Sequence, residues 1–292
     1  MLDLLCTLGL SSESSVEPFW PRVRDDANIK VLRCRTSGVI FLSSTDHVVD
    51  SFYERMQGFA YWSQQTRESA IARGKAENER RAGQFRAMIA GKKWLDVGAG
   101  AGGLLELLGP DAREAVAVEP QEGARAALKE AGWSAYDHVS SVPDSDFDVV
   151  TLSHVLEHLR RPLEILEHIR GRMTRGGRVI VEVPHAEDFL ISYLGIDEFK
   201  AFTFWSQHLI LHTRQSLRAL LEFAGFSKVV IVGVQRYPLA NHLYWLARQR
   251  PGGHEEWGFL RSSELDAAYG SLLASLNMTD TLLAIAEVGD RS

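Results

Sequence analysis

Three groups of residues have types and spacings that could do chemistry. The first is a glycine-dense turn, Asp96-Val-Gly98-Ala-Gly100-Ala-Gly102-Gly103, which follows the apolar run starting at Lys93. Glycines there let the backbone turn tightly and bring its N–H groups against a ligand at a helix start. Gly98, Gly100 and Gly103 also satisfy the dinucleotide pattern G-x-G-x-x-G, and Glu119 closes the next apolar run, where an acid would grip ribose hydroxyls. NAD and S-adenosylmethionine (SAM) both suit such a loop. Asp96 separates them, because a carboxylate in the turn repels a pyrophosphate and attracts the ammonium and sulfonium charges of SAM. No Tyr is followed four positions later by Lys, so the Tyr-x-x-x-Lys pair that an NAD-dependent oxidoreductase would use is absent.

The second group is histidine. Six of the ten histidines, His154, His158, His168, His185, His208 and His212, lie in one window. Imidazole suits proton removal from an acceptor near neutral pH. His154 and His158, four apart with Glu157 between them, could also form one side of a zinc site. Spacing fixes no third ligand, so no metal is expected. The third group lies in Arg236–Trp257, where Arg236, Tyr237, His242 and Trp245 offer an anion grip and stacking faces for a substrate. An amphipathic helix packing on the sheet would have the same composition.

The elements that must position these groups alternate. Lys93–Gly109 reads as strand, loop and helix, followed by strand Ala115–Glu119 and helix Glu122–Ala131. Strand Phe147–Leu152 and helix Pro162–Met173 come next, with Gly176-Gly177 as the helix stop before strand Arg178–Val183. Helix Thr213–Ala224, with Thr213 as N-cap and Gly225 as stop, leads to strands Val229–Val234 and Thr281–Val288. The pattern predicts an α/β fold with a mostly parallel sheet covered on both faces. It also predicts an N-terminal extension over 1–75, a core over 76–234, an insertion over 235–280 forming a substrate cap, and a last core strand and tail over 281–292. The extension includes an extended stretch, Lys30–Leu42, and a helix begins near Glu68.

Composition narrows the classes. The 292 residues are 45% hydrophobic with a net charge of −6, which argues against a nucleic-acid-coating protein. Arg67–Lys93 carries a local +5, read as a solvated helix face rather than an RNA site. Two cysteines, Cys6 and Cys34, make no disulfide framework, and no apolar run approaches the ~20 residues of a membrane span. The apolar start carries Asp3 and no basic residue, a poor signal peptide, so a cytoplasmic location is expected.

In order, Asp-x-Gly-x-Gly-x-Gly, the acid Glu119, FDVVTLSHVLEHLRRP, RGGRVIVEVP and AGF before a strand resemble the motifs of class I SAM-dependent methyltransferases. The resemblance covers about 94–288. It implies a Rossmann-like seven-stranded sheet with an antiparallel last strand, SAM as cofactor, and cofactor contacts at Asp96, Gly98, Gly100, Gly102, Glu119, Pro120, Ser153 and His154. The adenine contact stays open between Asp137 and His138, with Ser140-Ser141 less suited. A narrower resemblance, RCRTSGVIFLSS with SFYERMQGFAYW, is to methyltransferases of sugars and small metabolites. Ser37 stands where zinc-bearing relatives have a cysteine, which implies a metal-free remnant, with Tyr53 and Tyr61 covering the SAM pocket. By that resemblance His158 is an active-site histidine and His208 the general base, while Gln207 replaces a common Glu and His212 packs. The implied reaction is O-methylation of a saccharide or sugar-containing metabolite, with another small natural product or a quinone-like acceptor as the alternative. An oxidoreductase and a non-catalytic SAM-binding protein are the rivals from other classes.

Overall fold

The computed structural model describes residues 1–48, 64, 66–143 and 145–289. The chain opens with helix α1 (Leu2–Thr7), strand β1 (Val16–Trp20) and a hairpin of β2 (Val31–Cys34) and β3 (Ile40–Leu42). Two helices follow, α2 (Arg67–Arg73) and α3 (Lys75–Ile89), where one was expected. Then the alternation begins: β4 (Lys93–Val97), α4 (Gly103–Leu108), β5 (Glu114–Val118), α5 (Glu122–Glu130), β6 (Ser134–Tyr136), β7 (Phe147–Ser153), α6 (Pro162–Gly171) and β8 (Met173–Pro184). The rest is α7 (Asp197–Thr203), β9 (Ile210–Leu211), α8 (Arg214–Phe223), β10 (Phe226–Val234), α9 (Leu239–Arg248), α10 (Gly253–Glu256), α11 (Ser263–Ser275) and β11 (Thr281–Val288).

The main sheet has seven strands in the order β10-β11-β8-β7-β4-β5-β6. From β8 to β6 every pairing is parallel, and β11 runs antiparallel to both β8 and β10. This is the Rossmann-like sheet with a reversed last strand that the motifs implied.

Side chains alternate across a strand, so each buried strand feeds two cores. In β4, Leu95 and Val97 join Val150, Leu152 and the helix residues Leu166, Leu217 and Leu220 on one face. Trp94 joins Phe85, Ile89, Leu105 and Leu128 on the other. Asp96 shares the Trp94 side but sits at the strand end, so the alternation that buries the sheet also delivers a carboxylate to its rim.

Two local readings change. Gly176-Gly177 does not stop a helix: α6 ends at Gly171, and both glycines lie within β8. There Phe147 pairs with Met173 but Val149 pairs with Arg178, so the extra residues bulge out of the ladder. A Cβ on Gly177 would stand 2.9 Å from the Thr174 carbonyl oxygen, a close approach that requires glycine. The three-residue β6 was not recognised, being too short to show a period.

A second sheet, β1-β2-β3-β9, joins the N-terminal hairpin to the segment between β8 and α8. Its core includes Val31, Ile40, Phe204, Leu209 and Leu211. The β3–β9 pairing therefore brings the chain from 1–48 and the histidine-bearing segment 185–212 into one unit beside the main sheet. Among the described residues no helix is long and apolar enough to cross a membrane.

Helix α8 starts as its sequence requires. The Thr213 hydroxyl accepts the Ser216 N–H at 3.2 Å and the Ser216 hydroxyl accepts the Thr213 N–H at 2.9 Å, while Gly225 closes the helix at φ +86°. Thr213→Ala is expected to cost about 1 kcal/mol of stability. A urea unfolding midpoint unchanged from wild type would contradict this capping role.

Candidate active site

A cavity of about 440 Å³ opens at the carboxyl ends of β4, β5 and β7, where parallel sheets bind ligands. Its floor is the glycine turn. Gly98 and Ala99 donate their N–H groups to the Val118 carbonyl at 2.8 and 3.1 Å, which ties the turn to the neighbouring strand. Gly98 has φ +74°, and a Cβ there would lie 2.3 Å from Val155 Cγ2. Gly100 and Gly102 also take left-handed conformations, Gly102 as the N-cap of α4.

Two carboxylates face this turn. Asp96 accepts the Thr151 hydroxyl at 2.6 Å, and Thr151 in turn accepts the Trp94 indole N–H at 2.8 Å. Burial pushes Asp96 up to about 6, against the Thr151 hydrogen bond and the Arg81 charge. Glu119 accepts the Gln121 and Gly100 N–H groups at 2.9 and 2.8 Å, yet burial still pushes it up to about 7. Two dry carboxylates reluctant to ionise fit a ligand that brings an ammonium group to one and hydroxyls to the other.

The opposite wall comes from the N-terminal helices. Arg67 donates to the Ala101 carbonyl at 2.9 Å and pairs with Glu106, clamping α2 to the glycine turn. Arg81 lines the cavity and donates to Glu182 Oε1 at 2.6 Å; Arg80 donates to Glu182 Oε2 at 2.7 Å and to Glu77 at 2.9 Å. The expected solvated helix face of 67–93 is thus partly turned inward. Pro120, Ser153, His154, Asp137 and His138 also line the cavity; Ser140 and Ser141 do not. Tyr53 and Tyr61 lie outside the described residues.

The histidines meet at the adjoining end of β7. His154 has φ +54° and gives its N–H to the Glu182 carbonyl at 2.8 Å. Its Nδ1 stands 3.0 Å from Glu157 Oε1, so Nδ1 carries the proton; Nε2 then accepts from Arg236 at 3.1 Å. His158 lines the cavity, and its Nδ1–H donates to the Gln207 carbonyl at 2.8 Å, which leaves the lone pair on Nε2. His208 is not in the cavity lining; its ring meets His158 edge-on at 5.0 Å between centroids and Trp205 at 5.1 Å. Burial lowers His158 against the raising charge of Glu157, while burial and then His158 lower His208 well below the usual histidine range. Ring nitrogens of His158 and His208 and a Glu157 carboxylate oxygen lie within 4.8 Å of one another, with His158 Nε2 and Glu157 Oε1 3.9 Å apart.

A family model described as a methyltransferase domain matches residues 61–230, more than half of the chain. The chain belongs to this methyltransferase family. It is 28% identical over 168 residues to a ubiquinone biosynthesis O-methyltransferase of Aeromonas salmonicida (strain A449), covering 52% of this chain and 70% of that protein. A protein of the same name from Psychrobacter arcticus is 27% identical over 176 residues, covering 55% and 68%. Among solved structures, Haemonchus contortus phospholethanolamine N-methyltransferase 2, bound to phosphomonomethylethanolamine and S-adenosylhomocysteine, shares the fold. It is 17% identical with a TM-score of 0.51, over 83% of this chain and 61% of its own. This methyltransferase uses SAM.

The substrate-side expectations fare unevenly. Arg236 does reach the histidines of the methyltransferase: besides His154 it holds Asp280 Oδ1 at 3.2 Å, and although burial disfavours its charge, Asp280 keeps it protonated. Tyr237 is 40% exposed and available. His242 is instead buried, hydrogen-bonded to the Tyr269 hydroxyl at 2.7 Å and stacked on Phe189. Trp245 is 2% exposed between Phe199 and Phe202. In this arrangement both rings pack α9 in place and offer no face to a sugar. His212 packs as expected, with Nδ1 3.0 Å from the Ser216 hydroxyl. Sequence reasoning missed Arg81, Glu182 and Glu157 as site residues. Glu182 and Glu157 had one signal, an acid inside the stretches VEV and VLEH, and Arg81 had none.

A cofactor held by ionised Asp96 and Glu119 would compete with acid for these two groups. SAH affinity is expected to fall roughly 100-fold from pH 8 to pH 5.5 as Glu119 and Asp96 take up protons. Titration calorimetry across that range checks this, and Glu119→Gln should flatten the part between pH 8 and 6. A pH-independent affinity in the wild type would contradict it.

Proposed function

We propose that this methyltransferase acts on a hydroxyl oxygen of a small molecule, and that the hydroxyl is phenolic, as in a quinone precursor. The observation that carries this reading is the placement of His158: its Nδ1–H donates to the Gln207 carbonyl, which puts the ring's lone pair on Nε2, and the residue lines the cofactor cavity. A buried imidazole held neutral is ready to accept a proton but is a weak base. Proton transfer is easiest when donor and acceptor are matched, and a phenol, near pKa ~10, is far more acidic than a sugar hydroxyl. The ubiquinone biosynthesis O-methyltransferases among the relatives support the same class. The saccharide reading keeps Arg236 and Tyr237 but loses the stacking faces of His242 and Trp245.

In this reading Asp96 holds the ammonium end of the cofactor, Glu119 its ribose hydroxyls, and Arg81 faces its carboxylate. SAM, when bound, supplies the methyl group as an electrophile. The protein's own work is to bring the acceptor oxygen up to that methyl and to take the proton. His158 Nε2 receives the proton, and His208 backs His158 rather than touching the cavity, an exchange of the two roles that the motif resemblance implied. Closure of the cavity by α2 and α3 limits water, which would otherwise compete for the proton and loosen the alignment.

The test is methyl transfer from labelled SAM to a panel containing 3,4-dihydroxybenzoate and nucleotide sugars. Labelled product is expected from the catechol, and His158→Ala is expected to lose about 10²–10⁴-fold in kcat while SAH affinity stays within a few-fold. Transfer to sugars alone would overturn the phenolic reading. Full turnover by His158→Ala would remove the base, and SAH binding without transfer to any acceptor would favour a non-catalytic SAM-binding protein.

A further inference from the structure

Glu157 is the one carboxylate of the histidine cluster with no arginine or lysine partner among the described residues. Glu182 and Glu77 share Arg80 and Arg81, and Asp280 is met by Arg236. Each of those sets is balanced. Glu157, by contrast, is fully buried, and the charged or titratable side chains nearest it among the described residues are imidazoles: His154 at 3.0 Å, His158 at 3.9 Å, and His208 with a ring nitrogen within 4.8 Å. Its Oε2 has no hydrogen-bond partner among the described residues. Its backbone carbonyl accepts the Leu209 N–H at 2.9 Å, which ties its turn to the segment bearing His208. A buried charge left in this way is costly. The cost is relieved when a neighbouring imidazole gains a proton, and that is the event the methyl transfer brings about.

We propose that Glu157 is the positioning carboxylate of the histidine pair: held by His154, it balances the positive charge that His158 and His208 acquire with the acceptor's proton. The inference rests on the reading of His158 and His208 as the proton-handling pair. The balance is simple: the acceptor O–H bond breaks, the proton goes to His158 Nε2, the oxygen takes the methyl, and the imidazolium so formed lies against a carboxylate already ionised. Burial alone would push Glu157 up, but the His154 hydrogen bond and the three imidazoles bring it down to about 2. The charged and titratable groups around it are His158 on its own turn, His154 at the end of β7, Glu182 on β8 with Arg80 and Arg81 behind it, His208 and His212 from the segment around β9, and Arg236 with Asp280 after β10 and before β11.

The test is an NMR titration of the imidazole nitrogens in SAH-saturated protein, wild type against Glu157→Gln. Loss of the carboxylate is expected to lower the pKa of His158 and His208 by about one unit or more, as for any opposite charge removed from within ~4–6 Å, with SAH affinity retained. Glu157→Asp should give a smaller fall in the same direction, and it serves in place of Glu157→Gln if that variant does not bind SAH. Unchanged histidine titrations in both variants would overturn the proposal, as would zinc or manganese found in the purified wild type and lost from Glu157→Gln, which would make the three groups a cation site. The titration needs no acceptor, so its failure removes Glu157 alone, whereas wild-type turnover by His158→Ala removes the reading beneath it.

Discussion

A parallel sheet gathers its functional side chains at one rim, and here that rim holds Asp96, Glu119, Glu157 and Glu182 within a water-poor crevice. Most of the architecture around the site follows from how each of these charges is answered. Glu182 draws Arg80 and Arg81 down from α3, and this makes the N-terminal helices a wall of the cavity. Asp96 and Glu119 have hydrogen-bond donors but no direct ion-pair partner among the described residues, and burial raises their pKa values above what those donors and the nearby arginines offset, which suits a positive charge brought by a ligand. The pH signs differ accordingly. Carboxylates whose pKa is raised in the fold weaken the ligand-free protein as pH climbs from about 4 toward 7. Glu157 and Glu182, whose pKa values are lowered, add stability above the ordinary carboxylate range that is lost in acid.

The parts of this design that could be read from the sequence are those that repeat along it. KWLDV, AVAVE and FDVVTL show buried strands because both faces are covered, and TLLAIAEV is bounded as the structure bounds it. Thr213 and Gly225 mark the ends of α8 by local chemistry that needs no tertiary context. The glycine pair at 176–177 shows the limit: a glycine can end a helix or make a bulge, and the choice depended on where Phe147 lay across the sheet. The pairing of β3 with β9 joins residues about 170 apart by hydrogen bonds, which no short-range pattern encodes.

The site divides in the same way. Asp96, the glycines and Glu119 were legible because one strand–turn–helix unit and the next strand carry them. Arg81, Glu182 and Glu157 come from α3, β8 and the turn after β7, and their partners are visible only once the chain is folded. His242 and Trp245 show the converse error. Residue types able to stack on a ligand stack equally well on Phe189, Phe199 and Phe202, and burial decided between the two.

His154 is where these threads join. Its left-handed backbone is costly for a residue with a Cβ, and such strain persists only where the surroundings over-determine it. Three bonds do so: its N–H to the Glu182 carbonyl, Nδ1–H to Glu157, and Nε2 accepting from Arg236. Through them one residue touches the cofactor cavity, the carboxylate beside the histidine pair, and the ion pair with Asp280 that anchors the start and end of the 235–280 segment. Arg236, at the start of the insertion, is therefore joined to Glu157 by two hydrogen bonds in series through the His154 ring, without lining the cavity itself.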